Sequence, residues 1–469
     1  MAILKELQKI VGEEYATDDI AITAGYSRDQ HWNFVPPKNP SYIVLPGNKE
    51  EVREILRFAN KEKVPVIPWS TGINIRGLTI PVYDNSILLD LSRLNHIIEI
   101  SEEMQSATIE PAVTFGMLLE ETKKVGLRPA FPDAPLTVSA LNNNYLRGIY
   151  QSAAGDGIDH VLSFEIILPN GKTLQTGSRL LSKELPYFRY GPGPEIASLF
   201  IGSPGTWGVV TELTLKLYQI FDNQNVYYVG FDDIDTPMKF IKKINRGEIV
   251  SSCRLVDHTS WLEGILGTFD YDYENLPKFV AVLAVEGQDG IFKAKDSLLK
   301  KYIKESGGKL LDEIPKELAT NLKCELLGAE TSSMVFGLEG NYYCIGFYGP
   351  LTLTPTYYKS FKKITKEVGI PEKYVHFYLN AIARFHGQAC YNELDIFYDS
   401  SDKEFVEKLK KLHSKLTLKL LEIGIYGWFR PYAGVIQPTL ERLGYFAEFW
   451  KKLQDLVDPN HIMNPGKLW

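Results

Sequence analysis

Three segments of the chain concentrate residue types that bind anions, move protons or hold a charged ligand. The first, Pro68-Trp69-Ser70-Thr71-Gly72-Ile73-Asn74, follows a short apolar run and turns at a glycine. Successive backbone N–H groups at such a turn, with the Ser70 and Thr71 hydroxyls beside them, make a concave set of donors that suits a phosphate or diphosphate. A glycine turn after a strand is also an ordinary connection, so this segment by itself leaves both readings open. The second is Asp133, in Phe131-Pro132-Asp133, a carboxylate beside an aromatic ring, where burial would shift its proton affinity as acid–base work requires. The third is Arg430, in Gly427-Trp428-Phe429-Arg430, a permanently charged group among aromatics that needs an anionic partner: a ligand, or an acid of the protein itself.

Several chemistries are excluded by what is missing. No GxGxxG follows the first strand, so a standard Rossmann dinucleotide site is disfavoured. The stretch from Gly72 to Thr79 has the spacing of a nucleotide-binding P-loop but carries Leu78 where that motif needs lysine. Eight histidines occur without an HExxH or comparable spacing, so metal hydrolysis finds no support. The four cysteines, Cys253, Cys324, Cys344 and Cys390, are too far apart for a zinc ribbon or an iron–sulfur site carried by this chain alone.

Elements of two textures must position these groups. In the first half short strands alternate with helices. Tyr42 to Pro46 reads as a buried strand, the next 14 residues or so place Val52, Ile55, Leu56 and Ala59 on one helical face, and Val64 to Pro68 is a second strand leading into the glycine turn. A Leu-rich strand (87–91), an alternating stretch through Ala107 and Ile109, and a helix from about Phe115 to Val125 follow. Residues 129–159 are rich in Gly, Asn, Ser and Ala, a composition that lets backbone approach a ligand closely. From about 220 the pattern becomes strand–helix units: Val226–Phe231 with a helix near 236–245, Phe279–Val285 with 291–304, Tyr342–Phe347 with 357–367, and Leu394–Tyr398 with a long helix after Ser401. Ser401 and Glu404 have the spacing of a capping box, Phe405, Leu409, Leu412, Leu416, Leu420 and Ile423 form one stripe, and Gly424 terminates it. Four such units predict a second domain built on one antiparallel sheet. The tail holds one further amphipathic helix, Leu443 to Val457, and ends in DPNHIMNPGKLW.

The chain has 469 residues, ample for two or three folding units, with 44% hydrophobic and 23% charged residues. A net charge of -7 argues against nucleic acid as a partner. The N-terminal fifteen residues read as an amphipathic helix without the apolar core of a targeting signal, and no run is long enough for a membrane span. The expectation is a cytoplasmic protein with reduced thiols. Its 26 Tyr and 23 Phe are enough to wall a cavity as well as a core.

Read together, the strand and helix at 42–60, the Pro68–Asn74 loop, residues 132–157 and the run from Gly202 to Leu217 resemble the FAD-binding domain of the vanillyl-alcohol oxidase and p-cresol methylhydroxylase family. DPNHIMNPGK looks like the closing motif of that family. The resemblance implies an α+β, two-domain fold. A PCMH-type FAD-binding domain would occupy residues 1–220, with its core at about 38–220. An antiparallel-sheet cap domain for the substrate would occupy 221–424, and segment 425–469 would return to complete the first domain.

The same resemblance implies FAD as cofactor and a set of site residues. Ser70, Thr71, Gly72, Ile73 and Asn74 would hold the diphosphate; Ser139, Asn143, Gly148, Ser152, Gly155 and Asp156 would line the cofactor; Val209 and Val210 would sit near adenine and ribose; and Asn464 would approach the isoalloxazine. Asp133 matches an acid–base and electrostatic group near the flavin, Arg430 matches an arginine that binds a phenolate, and His376 falls where some members attach FAD covalently. No metal is implied. Two tyrosines that assist the arginine in phenol oxidisers are missing: one position is Phe429, and the other lies in the Ile75–Leu78 stretch.

The implied activity is hydride abstraction from a para-substituted phenol or related aromatic alcohol. A 2-hydroxy-acid dehydrogenase of the D-lactate or glycolate type is the alternative, and a non-catalytic flavin subunit of an electron-transfer complex is a third reading. The implied partners are a small-molecule substrate and, as electron acceptor, oxygen or a protein. Whether the chain forms a homo-oligomer stays open.

Overall fold

The computed structural model describes residues 2–130, 135–145, 150–151, 155–182, 185–258, 277–311, 341–381, 388–425 and 436–467. Asp133, Gly148, Ser152 and Arg430 lie outside them.

A four-stranded sheet carries the glycine turn. Its order is Ala16–Thr17, Tyr42–Val44, Ile87–Asp90, Val66–Trp69, and Ile87–Asp90 runs parallel to both of its neighbours. The helix Lys49–Glu62 covers it and buries the four residues expected of it, Val52, Ile55, Leu56 and Ala59. Asn48 caps that helix by accepting the Glu51 N–H at 3.0 Å. The C-terminal tail extends this sheet: the Val66 N–H donates to the Ile462 carbonyl at 2.7 Å, and the Asn464 N–H donates to the Val66 carbonyl at 2.8 Å. The tail therefore runs beside the very strand that feeds the glycine turn.

A second sheet is antiparallel, in the order Thr173–Gln175, Val161–Ile167, Val209–Gln219, Ser106–Ile109, Ile97–Ser101, with Leu127–Pro129 paired to the far end of Val209–Gln219. A turn at Pro169–Gly171 joins its first two strands.

The seven-stranded third sheet draws all its strands from residues 223–398 and is antiparallel throughout. Its order is Lys309–Leu310, Asn223–Phe231, Phe279–Gly287, Ser252–Asp257, Val375–Asn380, Cys390–Tyr398, Asn341–Gly349. The period of two divides its faces. Val229, Leu255, Leu283, Ile345, Phe377 and Ile396 pack in one core with apolar residues of four helices, Thr236–Arg246, Asp289–Glu305, Thr354–Val368 and Lys403–Ile423. Each fully buried Leu, Ile or Phe contributes roughly 1.5–3 kcal/mol. The opposite face carries Arg254, Glu286, Tyr342, Cys344, Tyr391, Glu393 and Asp395, and it meets the first half of the chain.

Two local expectations are corrected. Asp402, not Ser401, caps the long helix: its carboxylate accepts the Phe405 N–H at 3.0 Å, while the Ser401 hydroxyl turns back to Asp399. A carboxylate suits a helix N-terminus better than a hydroxyl because it also meets the dipole. The expected tail helix is present as Tyr445–Val457, but a second one, Ile436–Leu443, precedes it and is separated from it by Gly444, whose φ of 55° belongs to the left-handed region.

The halves are tied by side chains. Phe34 enters the core of the third sheet, Asn33 donates to the Tyr398 hydroxyl at 3.1 Å, and Arg128 donates to Glu286 at 2.6 Å. Among the described residues no helix is long and apolar enough to cross a membrane.

Candidate cofactor site

Trp69 ends its strand with its ring packed edge-on against Tyr26 at 5.1 Å, and the Tyr26 hydroxyl donates to Asp90 at 2.8 Å. Burial pushes the Asp90 carboxyl up, and the Ser92 and Tyr26 hydrogen bonds oppose that. The chain then turns at Gly72, with φ 72°; a Cβ there would lie 2.1 Å from Trp69 Cζ2. Both the dihedral and the space require glycine.

Past the turn the loop holds its own shape. Asn74 Oδ1 accepts the Arg76 N–H at 2.8 Å and the Leu78 N–H at 3.4 Å. The Ser139 N–H donates to Thr71 Oγ1 at 3.1 Å, while the Ser139 hydroxyl donates to the Pro111 carbonyl and accepts the Asn142 N–H. Thr71 thus spends its acceptor on the second loop and keeps its proton for another partner.

The tail closes the same loop. Asn464 Nδ2 donates to the Leu78 carbonyl at 3.1 Å and to the Pro204 carbonyl at 2.9 Å, joining this loop to the one before Val209. Lys467 Nζ donates to the Gly77 carbonyl at 2.7 Å. Asp458 folds the tail by accepting the Met463 N–H at 2.8 Å.

These parts enclose a cavity of about 350 Å³, within the range of small-molecule sites. Its walls are Trp69 and Ser70–Asn74, the loop Gly202–Gly205 with Gly208, Val209 and Val210, and Asn464 of the tail; Trp450 and Tyr348 also border it. The charged residues among the described lining are Arg76 and Lys467, both cations. Desolvation lowers the Lys467 ammonium to about 8, against the attraction of Asp29, and burial raises the Asp29 carboxyl to about 6. Donors and positive charge without a lining acid suit an anionic ligand.

Where the cavity reaches the third sheet, Arg76 Nη2 lies 3.9 Å from Cys344 Sγ, and the rings of Tyr348 and Tyr391 meet at 5.5 Å. Burial and the charges of Asp395, Cys344 and Glu393 hold the Tyr342 hydroxyl well above the usual tyrosine range; it donates to Asp395 at 2.8 Å. Cys344, Glu393 and Asp395 offer ligand atoms within 4.8 Å of one another, beside the Arg76 guanidinium.

Of the residues expected from sequence, Ser70, Thr71, Gly72, Ile73, Asn74, Val209, Val210 and Asn464 share this cavity. Ser139 is buried one layer behind it, bracing Thr71. Asn143 falls in the wide helical turn Ala140–Tyr145, next to Asn142, which does line the cavity. Gly155–Asp156 pairs with Tyr150–Gln151 as a two-stranded ribbon. His376 is buried in the third sheet, its ring edge-on to Phe397 at 5.1 Å and its Cα opposite Asp395, and is not among the lining residues. Sequence reasoning missed Trp69, Arg76, Asn142, Tyr348, Trp450 and Lys467. Lys467 had a signal, since it sits in the closing motif; Tyr348 and Trp450 lie in no motif that would mark them.

Residues 40–177 match a family model described as an FAD binding domain. The chain is 24% identical to the glycolate oxidase subunit GlcD of Bacillus subtilis, across 100% of this chain and 96% of that protein. It is 22% identical to the 4-cresol dehydrogenase flavoprotein subunit of Pseudomonas putida, across 91% and 87%. The fold superimposes on 4-ethylphenol oxidase from Gulosibacter chungangensis with a TM-score of 0.86 at 19% identity, covering 100% and 96%.

This chain is an FAD-linked oxidoreductase with a PCMH-type FAD-binding domain. The flavoprotein's cavity fits that cofactor on its own observations: a Cβ-excluding turn at Gly72, the Ser70 and Thr71 hydroxyls, and two cations on the lining, a set that suits a diphosphate. Its fold is the α+β, antiparallel-sheet architecture expected from sequence.

Proposed function

We propose that this flavoprotein oxidises a para-substituted phenol or related aromatic alcohol, taking hydride from the carbon next to the ring. The observation that carries the reading is Tyr348, the residue that the third sheet contributes to the described cavity lining, with the ring of Tyr391 at 5.5 Å behind it. Tyrosines missing at position 429 and from the Ile75–Leu78 stretch thus have counterparts on another element. When bound, FAD supplies the hydride acceptor. Residues 1–220 with 425–469 form the cofactor domain and 221–424 the substrate cap. Arg430 holds the phenolate as a fixed cation, and Asp133 takes or returns the proton as the ring system rearranges. Ser70–Asn74 hold the diphosphate, and electrons leave to oxygen or to an acceptor protein.

A specific observation favours a second reading. Arg76 is a buried guanidinium that borders the cavity in the stretch where phenol oxidisers carry tyrosine. A guanidinium on the lining can also take a substrate carboxylate in a two-pronged pair, which supports a 2-hydroxy acid as substrate.

The test is anaerobic mixing of the purified protein with 4-alkylphenols, aromatic alcohols and 2-hydroxy acids while flavin absorbance is followed. Bleaching by phenols or aromatic alcohols alone upholds the first reading, and bleaching by hydroxy acids alone replaces it with the second. Reduction by none of them favours a non-catalytic flavin subunit. Acid denaturation of the same sample reports covalent attachment: colour that stays with the polypeptide in the wild type and leaves it in H376A assigns the link to His376.

A further inference from the structure

The phosphate-binding turn has no lysine at the position where a P-loop carries one, since Leu78 stands there. The fold brings one from the other end of the chain. Lys467, 390 positions after Gly77, is 1% exposed, borders the cavity and gives one N–H to the Gly77 carbonyl. An ammonium has three donors, so two remain for a ligand. The Gly77 peptide is gripped on both sides, because Asp29 accepts its N–H. Asp29 also accepts the His31 N–H at 2.8 Å and the Thr79 hydroxyl at 3.3 Å, so its oxygens are already engaged in shaping the loop.

We propose that Lys467 is a cofactor-binding residue whose ammonium offsets the charge of the FAD diphosphate, taking the electrostatic role that the turn's own sequence leaves unfilled. Three observations support it. A buried ammonium is costly without a counter-charge, and among the described residues Asp29 is the one acid whose charge acts on Lys467. The described lining is cationic and holds no carboxylate. The Gly77 carbonyl holds Nζ on the loop that continues from the donor turn and on the lining of the same cavity, so the charge is positioned before the cofactor arrives.

The inference rests on FAD being the cofactor, and riboflavin, which has the same ring system without the diphosphate, separates the two claims. Apoprotein is titrated with FAD and with riboflavin by calorimetry, using wild type, K467M, K467R and N464A. K467M should lose about ten- to a hundredfold in FAD affinity with riboflavin affinity unchanged, and K467R should retain most of it. N464A keeps the ammonium but removes the tail's bonds to Leu78 and Pro204, so it should weaken both flavins alike. Equal loss for both flavins in K467M makes Lys467 a latch for the tail and overturns the proposal, as does unchanged FAD affinity. Wild type that binds neither flavin overturns the FAD reading with it.

If K467M does not fold, the wild type carries the test. Its ratio of FAD to riboflavin affinity should fall about tenfold or more between about pH 7 and about pH 10, as the free ammonium, which loses its proton near 8, must regain it to meet the diphosphate. Asp29, the facing acid, titrates near 6 and stays charged across that window. A ratio that does not change with pH overturns the assignment.

Discussion

Arg128 donates to Glu286 at 2.6 Å with both side chains about nine-tenths buried, joining the strand Leu127–Pro129 to the strand Phe279–Gly287 across the two halves of the molecule. Arg128 lies on an edge pairing of the second sheet, and Glu286 is on the face of the third sheet turned away from its helices. The pair ties the second sheet to the third at this point.

Removing one partner takes a buried ion-pair contact from the charge that remains. R128A and E286A should each destabilise the protein by about 3 kcal/mol or more, whereas an R128M/E286L double variant should recover most of that loss. Thermal melts of the three variants decide it; additive losses in the double variant would contradict the coupling.

Gly72 admits no side chain. With φ 72° and Trp69 Cζ2 at 2.1 Å from a built Cβ, G72A must move the indole or the turn. The expected result is a loss of about 1–3 kcal/mol in stability and a fall of tenfold or more in FAD affinity. Flavin content per polypeptide after purification, with circular dichroism to verify folding, measures both.

Asp29 makes stability depend on pH. Burial raises its carboxyl to about 6 in the folded protein from an ordinary value near 3.8. Between those values the native state holds a proton that the unfolded chain has released, so this group's contribution falls as pH rises from about 4 to about 6. D29N keeps one acceptor oxygen and cannot ionise, so its melting temperature relative to wild type should climb across that window and level off above it. A constant difference would show that Asp29 does not titrate there.

The cofactor loop was legible because its requirements are local. A strand, a glycine that must take a positive φ, small hydroxyl residues and an adjacent amphipathic helix all announce themselves within thirty residues, and Val52, Ile55, Leu56 and Ala59 are buried as their spacing demands. The third sheet was legible in part: the strands Asn223–Phe231, Phe279–Gly287, Asn341–Gly349 and Cys390–Tyr398 announce themselves by a period of two before a helical stripe, whereas Ser252–Asp257, Lys309–Leu310 and Val375–Asn380 have no such unit to mark them. The helix start was less so: Ser401 and Asp402 are both good N-caps, and Asp402 takes the place by accepting the Phe405 N–H while Ser401 bonds back to Asp399.

What sequence determined by itself was therefore the class of fold, the FAD-binding motif and the loop that receives an anion, because propensity, turn chemistry and periodicity act over a few residues. Only the tertiary structure decided which distant groups complete the cavity. It set Lys467 on Gly77, Asn464 on Leu78 and Pro204, and Tyr348 and Arg76 at one rim. Those placements come from a tail that pairs with Val66 and from the packing of one sheet face on another. No spacing along the chain records them, because burial rewards any arrangement that brings complementary surfaces together.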